Sequence, residues 1–439
     1  MKDKHMNNRI PPPSSGRRSG FWVHAPLTPY NSFVTRKPLA GRYLILEERN
    51  RSDMSQVYRA IDLKKLTSTD RSRFSEIGVE LGALQPGDLQ RILSQTPSIV
   101  KRCGVIVKFA EGDALPYMQT EAKFLHLTAS EERIPRLIEH RLIESGRDNP
   151  LVTRKECLIA QDLGDLTLAA VLQGQMERKI PFYKMVEIAM ETFYALSVVH
   201  RHGYVHRDVK PSNIMLIMGE NQKINVRLLD FGGIIKIGEP ILADVSTPSY
   251  ASPEQFQTHL DQDRHYTSLT AASDYYSLAQ VIAEGITGKP PMRVTVWNDK
   301  QYKNVVYNKK TWENQLTKPM PKLSIEEIES AYHTDRLPEI AKEIKTIQRQ
   351  LNALLQGLAQ KDPNKRPNFH DIIRKIEAIL DIHRSIADYL GSLGSGDDQG
   401  LGQPFLPTEN EDPTIVTPRP QAVIDERTVV SIPQRRNLS

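Results

Sequence analysis

Apolar residues recur with two different periods along this 439-residue chain. In the first part they alternate or form short β-branched runs, the pattern of strands. Strands are predicted at Gly41–Glu47, Val57–Asp62, Gly104–Phe109 and Cys157–Gly164, with two short ones later at Asn213–Leu216 and Val226–Leu229. Elsewhere they recur every three or four positions, as in helices with one buried face. Helices are predicted at Pro116–Leu127, Pro181–His202, Asp274–Ile286, Ile340–Leu358 and Asn368–Leu390.

A long connection, residues 63–102, separates the second predicted strand from the third. Its stretch from Phe74 to Gln95 has helical spacing of apolar residues, namely Ile77, Val79, Leu81, Leu84, Leu89, Ile92 and Leu93. Connections of this length are usually functional or disordered. The spacing favours a helical interaction element and does not name its partner.

Composition indicates the cellular environment in which the protein is expected. No apolar run approaches the roughly 20 residues of a membrane helix, and the N-terminus lacks the apolar core of a secretory signal. Two cysteines, Cys103 and Cys157, lie in apolar stretches and predict reduced, buried thiols in a cytoplasmic protein. Residues 1–42 carry eight Lys and Arg against one Asp. The aromatic interleaving typical of a nucleic-acid platform is lacking, so this charge favours a solvated head over a nucleic-acid surface.

The most specific pattern is His206-Arg207-Asp208-Val209-Lys210-Pro211-Ser212-Asn213, followed by Asp230-Phe231-Gly232. Phosphoryl transfer needs a carboxylate that orients the attacking hydroxyl, a cation at the γ-phosphate and oxygen ligands for a metal. Asp208 is the candidate base and Lys210 the candidate cation. Asn213 and Asp230 are the candidate Mg²⁺ ligands, with Mn²⁺ as a possible substitute.

This motif set resembles eukaryotic-type (Hanks-type) serine/threonine protein kinases over residues 39 to 385. The resemblance implies an α+β, two-lobed kinase fold with a small β-rich N-lobe and a larger helical C-lobe. Within this family the bacterial members are the most similar, as the segments Gly41-Arg42-Tyr43 and Pro253-Glu254-Gln255 indicate. The predicted divisions are a disordered head at 1–38, an N-lobe at 39–163 with the 63–102 insertion, a C-lobe at 164–390 and a disordered tail at 391–439.

The resemblance also assigns the nucleotide site. Lys108, at the end of Val105-Ile106-Val107-Lys108, matches the strand lysine that contacts the α- and β-phosphates of ATP, and Glu121 is its expected partner. The residues expected around adenine are Val57, Ile106, Ala160, Gln161, Leu163 and Met215.

The glycine-rich loop departs from the family. Asn50, Ser52 and Ser55 stand where the resemblance expects glycines that let backbone N–H groups approach the phosphates. We expect weaker or slower nucleotide handling. The alternative function is therefore a pseudokinase-type scaffold that binds partners with weak or no phosphoryl transfer.

Residues 246–254 resemble the end of a kinase activation segment, in which Thr247 together with Lys210 indicates Ser/Thr specificity. The resemblance predicts a buried ion pair between Glu254 and Arg366, and support of the 206–213 loop by Asp274. Residues 233–245 contain no Ser, Thr or Tyr. We therefore expect Glu239 or Asp244, and not a phosphate group, to pair with Arg207.

The tail holds an imperfect repeat, in which acidic residues precede and β-branched residues follow Thr414 and Thr428. Such threonines suit autophosphorylation and capture by a phosphothreonine-binding module, although chance in a short biased tail explains them equally well. Taken together, the sequence predicts an ATP-dependent, autophosphorylating kinase that acts on Ser and Thr of protein substrates, with no membrane segment.

Overall fold

The N-terminal part folds into an antiparallel sheet whose strands follow the order β1-β2-β3-β5-β4. The strands are β1 (Tyr43–Arg51), β2 (Gln56–Asp62), β3 (Gly104–Glu111), β4 (Leu137–Ile143) and β5 (Glu156–Asp162). The computed structural model describes residues 38–39, 41–51, 55–85, 87–143, 156–162, 166–174, 180–219, 223–239, 247, 249–255, 268–289, 320–332 and 334–393. Within these ranges the strands predicted in this part of the sequence are confirmed.

The two edge strands of this sheet are joined at one end. Arg42, just before β1, donates to Asp62 on β2 at 2.7 Å and to Glu139 on β4 at 2.9 Å. The Tyr43 hydroxyl donates to the same Glu139 carboxylate at 2.6 Å. Because β1 and β4 lie at opposite edges of the sheet, these contacts connect the two edges at this end.

The prediction of helical structure across Phe74–Gln95 is wrong in its extent. The insertion forms three short helices, α1 (Ser68–Glu76), α2 (Asp88–Gln95) and α3 (Pro97–Cys103). Gly78 (φ 70°) follows the end of α1 and Gly87 (φ 90°) is the N-cap of α2, and both adopt the left-handed backbone, which a continuous right-handed helix does not contain. Phe74 and Ile92 are fully buried. The partner of this element stays a prediction.

The rest of the described chain is mainly helical. Its helices are α4 (Leu115–Leu127), α5 (Leu168–Gly174), α6 (Phe182–Arg201), α7 (Ala271–Thr287), α8 (Ile325–Glu329), α9 (Leu337–Leu358) and α10 (Phe369–Ser392). Small sheets add β6 (Leu166–Thr167), β7 (Tyr204–Val205), β8 (Ile214–Met218), β9 (Ile224–Leu228) and β10 (Ile235–Lys236). The α+β class and the predicted long helices are confirmed. None of the helices described here has the length and hydropathy to span a membrane.

A buried histidine in this helical part makes stability depend on pH. The Tyr332 hydroxyl lies 3.0 Å from His383 Nδ1, and the Tyr183 ring stacks on the imidazole at 4.1 Å. Burial, with Lys184 and Arg384 nearby, lowers the pKa of His383 from 6.5 to about 4. Between these values the unfolded chain binds a proton that the folded chain does not. The free energy of unfolding should therefore fall as pH drops from 6.5 to 4, by about 3 kcal/mol from this residue.

Urea unfolding at pH 7 and near pH 4 measures this dependence. His383→Gln should lose less free energy of unfolding than the wild type between the two pH values, because glutamine does not titrate. His370→Gln, which changes an exposed histidine at the start of the same helix, is the matched control and should keep the wild-type loss. An equal loss in wild type and His383→Gln would contradict the assignment.

Candidate active site

The loop of residues 206–213, called the catalytic loop below, is held by one buried carboxylate. Asp274 in the first turn of α7 accepts the backbone N–H groups of His206 and Arg207, each at 2.9 Å. His200 Nε2 lies 2.8 Å from the same carboxylate. Asp274 is fully buried, so the loop is anchored to the helical core. The predicted support by Asp274 is confirmed.

Asp208 lies at the centre of a hydrogen-bond network. Its carboxylate accepts the Thr247 hydroxyl at 2.7 Å and the Asn213 amide at 3.0 Å, and it lies 3.1 Å from the Lys210 ammonium. Lys210 also donates to the Thr247 hydroxyl at 3.0 Å. Burial by itself raises the pKa of Asp208, but Lys210 and the Thr247 hydrogen bond outweigh it, so the pKa lies below its ordinary value. Asp208 is therefore ionised at neutral pH.

A second cluster joins the sheet to the residues after β9. Lys108 on β3 donates to both oxygens of Glu121 on α4, at 2.9 and 3.0 Å, and to Asp230 at 3.2 Å. Burial lowers the pKa of Lys108, but the Asp230 and Glu121 carboxylates outweigh burial and raise the pKa. Lys108 in turn lowers the pKa of Asp230 well below its ordinary value. The cluster therefore holds one cation between two carboxylates.

Aromatic packing fixes the position of Asp230. The next residue, Phe231, is fully buried. Its ring lies 4.8 Å from the ring of Phe124 on α4 and 5.2 Å from that of His206. Asp230 has a φ of 63°, which a non-glycine residue adopts only where its surroundings hold it. The buried phenyl ring thus holds the Asp230 carboxylate beside Lys108.

The residues predicted to line the adenine slot lie on several strands. Val57 on β2 is opposite Lys108 on β3, and Ile106 on β3 is opposite Gln161 on β5. Ala160 is the neighbour of Gln161 on β5, and Met215 is buried on β8. Leu163 and Ser52 lie outside the described residues, while the backbone of Asn50 pairs with Val57. The slot itself stays a prediction.

The donor atoms at Asn213 and Asp230 fit a hard divalent cation. The Asp230 side chain is 49% exposed, so its carboxylate is open to a ligand. Asn213 uses Nδ2 to donate to Asp208, which leaves its amide oxygen to coordinate a metal. Two protein oxygens completed by water and substrate phosphates are the usual environment of Mg²⁺.

Further contacts brace the segment that follows Thr247. Arg366 donates to Glu254 at 2.6 and 2.8 Å, and its side chain is fully buried, which confirms the predicted pair. Arg207 donates to the Gly233 carbonyl at 3.2 Å. The prediction for Glu239 is wrong, because this exposed carboxylate lies 3.9 Å from Lys236 instead. Asp244 lies outside the described residues.

Sequence reasoning used Gln255 only as part of the family resemblance and missed its contact with the catalytic loop. This buried residue lies directly after Glu254, and its amide reaches the backbone of Arg207 at 2.8 Å. Ser252, three positions before Gln255, stands where the resemblance expects Ala, and this change to a hydroxyl-bearing residue was a clue in the sequence to a polar contact here.

This fold and this arrangement of charges define a protein of the kinase class. The chain matches the protein kinase domain family over residues 118–376 and belongs to that family. The predicted resemblance to Hanks-type serine/threonine kinases is thereby confirmed. Proteins of this family generally use ATP and a divalent metal and act on protein substrates.

Individual relatives match shorter stretches. Serine/threonine-protein kinase PknB of Mycolicibacterium smegmatis is 35% identical over 114 residues, 25% of this chain and 16% of that protein. PknB of Mycobacterium leprae is 37% identical over 117 residues, 26% of this chain and 17% of that protein. A leaf rust resistance receptor-like kinase of Arabidopsis thaliana is 32% identical over 149 residues, 33% of this chain and 20% of that protein. The chain thus spans a fifth or less of the length of these relatives.

Proposed function

We propose that this protein transfers the γ-phosphoryl group of ATP to Ser and Thr hydroxyls of proteins, including its own. The observation that carries the proposal is the joint assembly of two charge clusters, Lys108 with Glu121 and Asp230, and Asp208 with Lys210. The pKa of Lys108 is raised and those of Asp208 and Asp230 are lowered, so all three are charged at neutral pH. This distribution suits phosphoryl transfer, where positioning and charge neutralisation do most of the work. It weighs against the scaffold alternative.

In the proposed mechanism Asp208 orients the acceptor hydroxyl and accepts its proton. The 2.7 Å hydrogen bond from the Thr247 hydroxyl supports this role, because a substrate hydroxyl requires the same acceptor. Lys210, 3.1 Å from Asp208, neutralises charge on the γ-phosphate. In-line transfer then requires that Asp208 and Lys210 stay in this relative position.

On the nucleotide side, Lys108 contacts the α- and β-phosphates while Glu121 holds its ammonium in place. Asn213 and Asp230 hold Mg²⁺, which neutralises phosphate charge when bound. Val57, Ile106, Ala160, Gln161, Leu163 and Met215 form the adenine slot. Asn50, Ser52 and Ser55 replace the glycines of the covering loop, so we expect a raised KM for ATP.

The proposal includes activity without phosphorylation of the loop that follows Asp230. Residues 233–245 offer no hydroxyl, and Arg207 is engaged by the Gly233 carbonyl. Asp244 is the carboxylate that we propose pairs with Arg207. A strict dependence of activity on phosphorylated Ser246 would contradict this part.

The proposal also covers phosphorylation of the C-terminal tail and the cellular location of the protein. Thr414 and Thr428, each preceded by acidic residues, are proposed autophosphorylation sites read by a phosphothreonine-binding module with Arg donors. A cytoplasmic location is supported by the free, buried thiol of Cys103. Mapping the phosphorylated residues by mass spectrometry tests the first point, and phosphate found only elsewhere would contradict it.

Incubation of the full chain with γ-labelled ATP, Mg²⁺ and a generic protein substrate tests the central proposal. We expect label on Ser and Thr that disappears on chelation of the metal. Lys108→Met should reduce the rate about 10²- to 10³-fold, the usual effect of removing a preorganised charge-stabilising group.

Lys375→Met makes the same chemical change on the exposed face of α10 and is the matched control, with a rate equal to the wild type. If the wild type and Lys108→Met both remain unlabelled, with Mn²⁺ as well as with Mg²⁺, this result would favour the scaffold alternative.

A further inference from the structure

Gln255, directly after the Glu254 of the activation-segment motif, reaches the backbone next to Asp208 and is itself bound by Ser252. Gln255 Nε2 donates to the Arg207 carbonyl at 2.8 Å. Gln255 Oε1 accepts the Ser252 N–H at 2.9 Å and the Ser252 hydroxyl at 3.0 Å. Gln255 is 3% exposed and Ser252 is fully buried. We call these two residues the Ser252–Gln255 clamp, since they connect residues 252–255 to the catalytic loop.

The contacts of the clamp fix the orientation of the Gln255 amide. The Ser252 backbone N–H can only donate, and the Arg207 carbonyl can only accept. If the amide were rotated by half a turn, an NH₂ group would face the N–H and an oxygen would face the carbonyl. The Ser252 hydroxyl can donate to the same Oε1 and so adds to the preference for one orientation.

The clamp acts on a backbone position that needs support. Arg207 has a φ of 72°, in the left-handed region that non-glycine residues adopt only when their surroundings hold them. Asp274 accepts the Arg207 N–H at 2.9 Å, and Gln255 binds the Arg207 carbonyl. Both polar groups of this residue are therefore held, one from α7 and one from the clamp. The peptide bond that Gln255 holds leads directly into Asp208.

From this geometry we propose that Gln255, oriented by Ser252, is a positioning residue for the Asp208 carboxylate. The inference rests on the proposed kinase function. Gln255 acts through the Arg207–Asp208 peptide and does not touch the nucleotide site, so its loss should lower kcat and leave ATP binding unchanged. The Ser252 hydroxyl, standing where the family resemblance expects Ala, strengthens the positioning in this chain.

Steady-state kinetics of Gln255→Glu and Gln255→Met tests the inference. Both variants lack the Nε2 donor, while the first keeps the acceptor and the second keeps the volume. We expect kcat to fall about 10²-fold, the effect of a displacement near 1 Å, with KM for ATP changed less than about twofold. Gln356→Glu is the matched control, because Gln356 donates to the Met320 carbonyl at 2.5 Å far from Asp208 in sequence. It should keep the wild-type kcat.

A double-mutant cycle tests the part played by Ser252. Ser252→Ala alone should lower kcat about 2- to 10-fold, the effect of one hydrogen bond. In the Gln255→Met background it should cause no further loss, because the hydroxyl acts through Gln255. A full additional loss would overturn the role of Ser252.

The outcomes separate this inference from the proposed function. A wild type that transfers no label contradicts the function itself. An active wild type whose Gln255 variants keep the wild-type kcat, or lose kcat and ATP binding together, overturns the clamp. Circular dichroism verifies that each variant folds. If one Gln255 variant does not fold, the kcat of the other variant decides the test. If neither folds, the kcat of Ser252→Ala decides it, and a wild-type value there overturns the inference.

Discussion

Asp208→Asn is expected to lower kcat for protein phosphorylation by about 10²- to 10⁴-fold, the contribution of a positioned general base. Asparagine has nearly the same volume and can still accept the Thr247 hydroxyl, which lies 2.7 Å from the carboxylate. It cannot accept the proton of the substrate hydroxyl. The effect should therefore appear in kcat, with little change in KM for ATP. Initial rates with labelled ATP at saturating substrate measure it.

The pH profile gives an independent test of the same residue. Lys210 and Thr247 outweigh the effect of burial and hold the pKa of Asp208 below its ordinary value. The fall of kcat on the acid side should thus occur below the usual range of an aspartate. Asp381→Asn, an exposed change on α10, should leave both rate and profile unchanged. A rate within a few-fold of wild type in Asp208→Asn would exclude it as the base.

Arg366→Met is expected to destabilise the protein by about 3–5 kcal/mol, the usual effect of breaking a buried ion pair. The Arg366 side chain is fully buried and donates to both oxygens of Glu254, at 2.6 and 2.8 Å. It also donates to the Ala272 and Gln360 carbonyls, at 2.7 and 2.8 Å. Its removal leaves the Glu254 carboxylate buried without its cation. Urea unfolding at neutral pH measures the change.

A compensating change separates charge burial from lost packing. Arg366→Met combined with Glu254→Gln removes both charges and should recover part of the lost free energy of unfolding. Arg384→Met breaks an exposed pair with Asp381 and should have little effect, because surface pairs contribute little. A double variant no more stable than Arg366→Met would show that the uncompensated carboxylate is not the main cause.

Much of the site could be predicted because its residues are close in sequence. Asp208, Lys210 and Asn213 lie within one short loop, and Asp230 follows in a second motif. Spacing within one loop depends on local backbone geometry, so the candidate catalytic residues could be recognised without the fold. The pairing of Lys108 with Glu121 also followed from the motif order, and the structure has it at 2.9 Å.

The insertion shows the limit of reading periodicity. Apolar spacing indicated helix from Phe74 to Gln95, yet the glycines at positions 78 and 87 adopt positive φ and divide it. Periodicity detects a buried face and is insensitive to a break that keeps that face buried. Sequence therefore predicted the kind of structure here and not its extent.

The sequence by itself determined the family, the α+β class and the charged residues of the site, because these depend on residue type and local spacing. Only the tertiary structure decided which distant groups meet. Asp274 reaches the backbone of Arg207 across 67 positions, and Gln255 reaches it across 48. Arg42 reaches Glu139 across 97 positions and joins the two sheet edges. Such contacts depend on how helices and strands pack around the core, and no local pattern of residues records that packing.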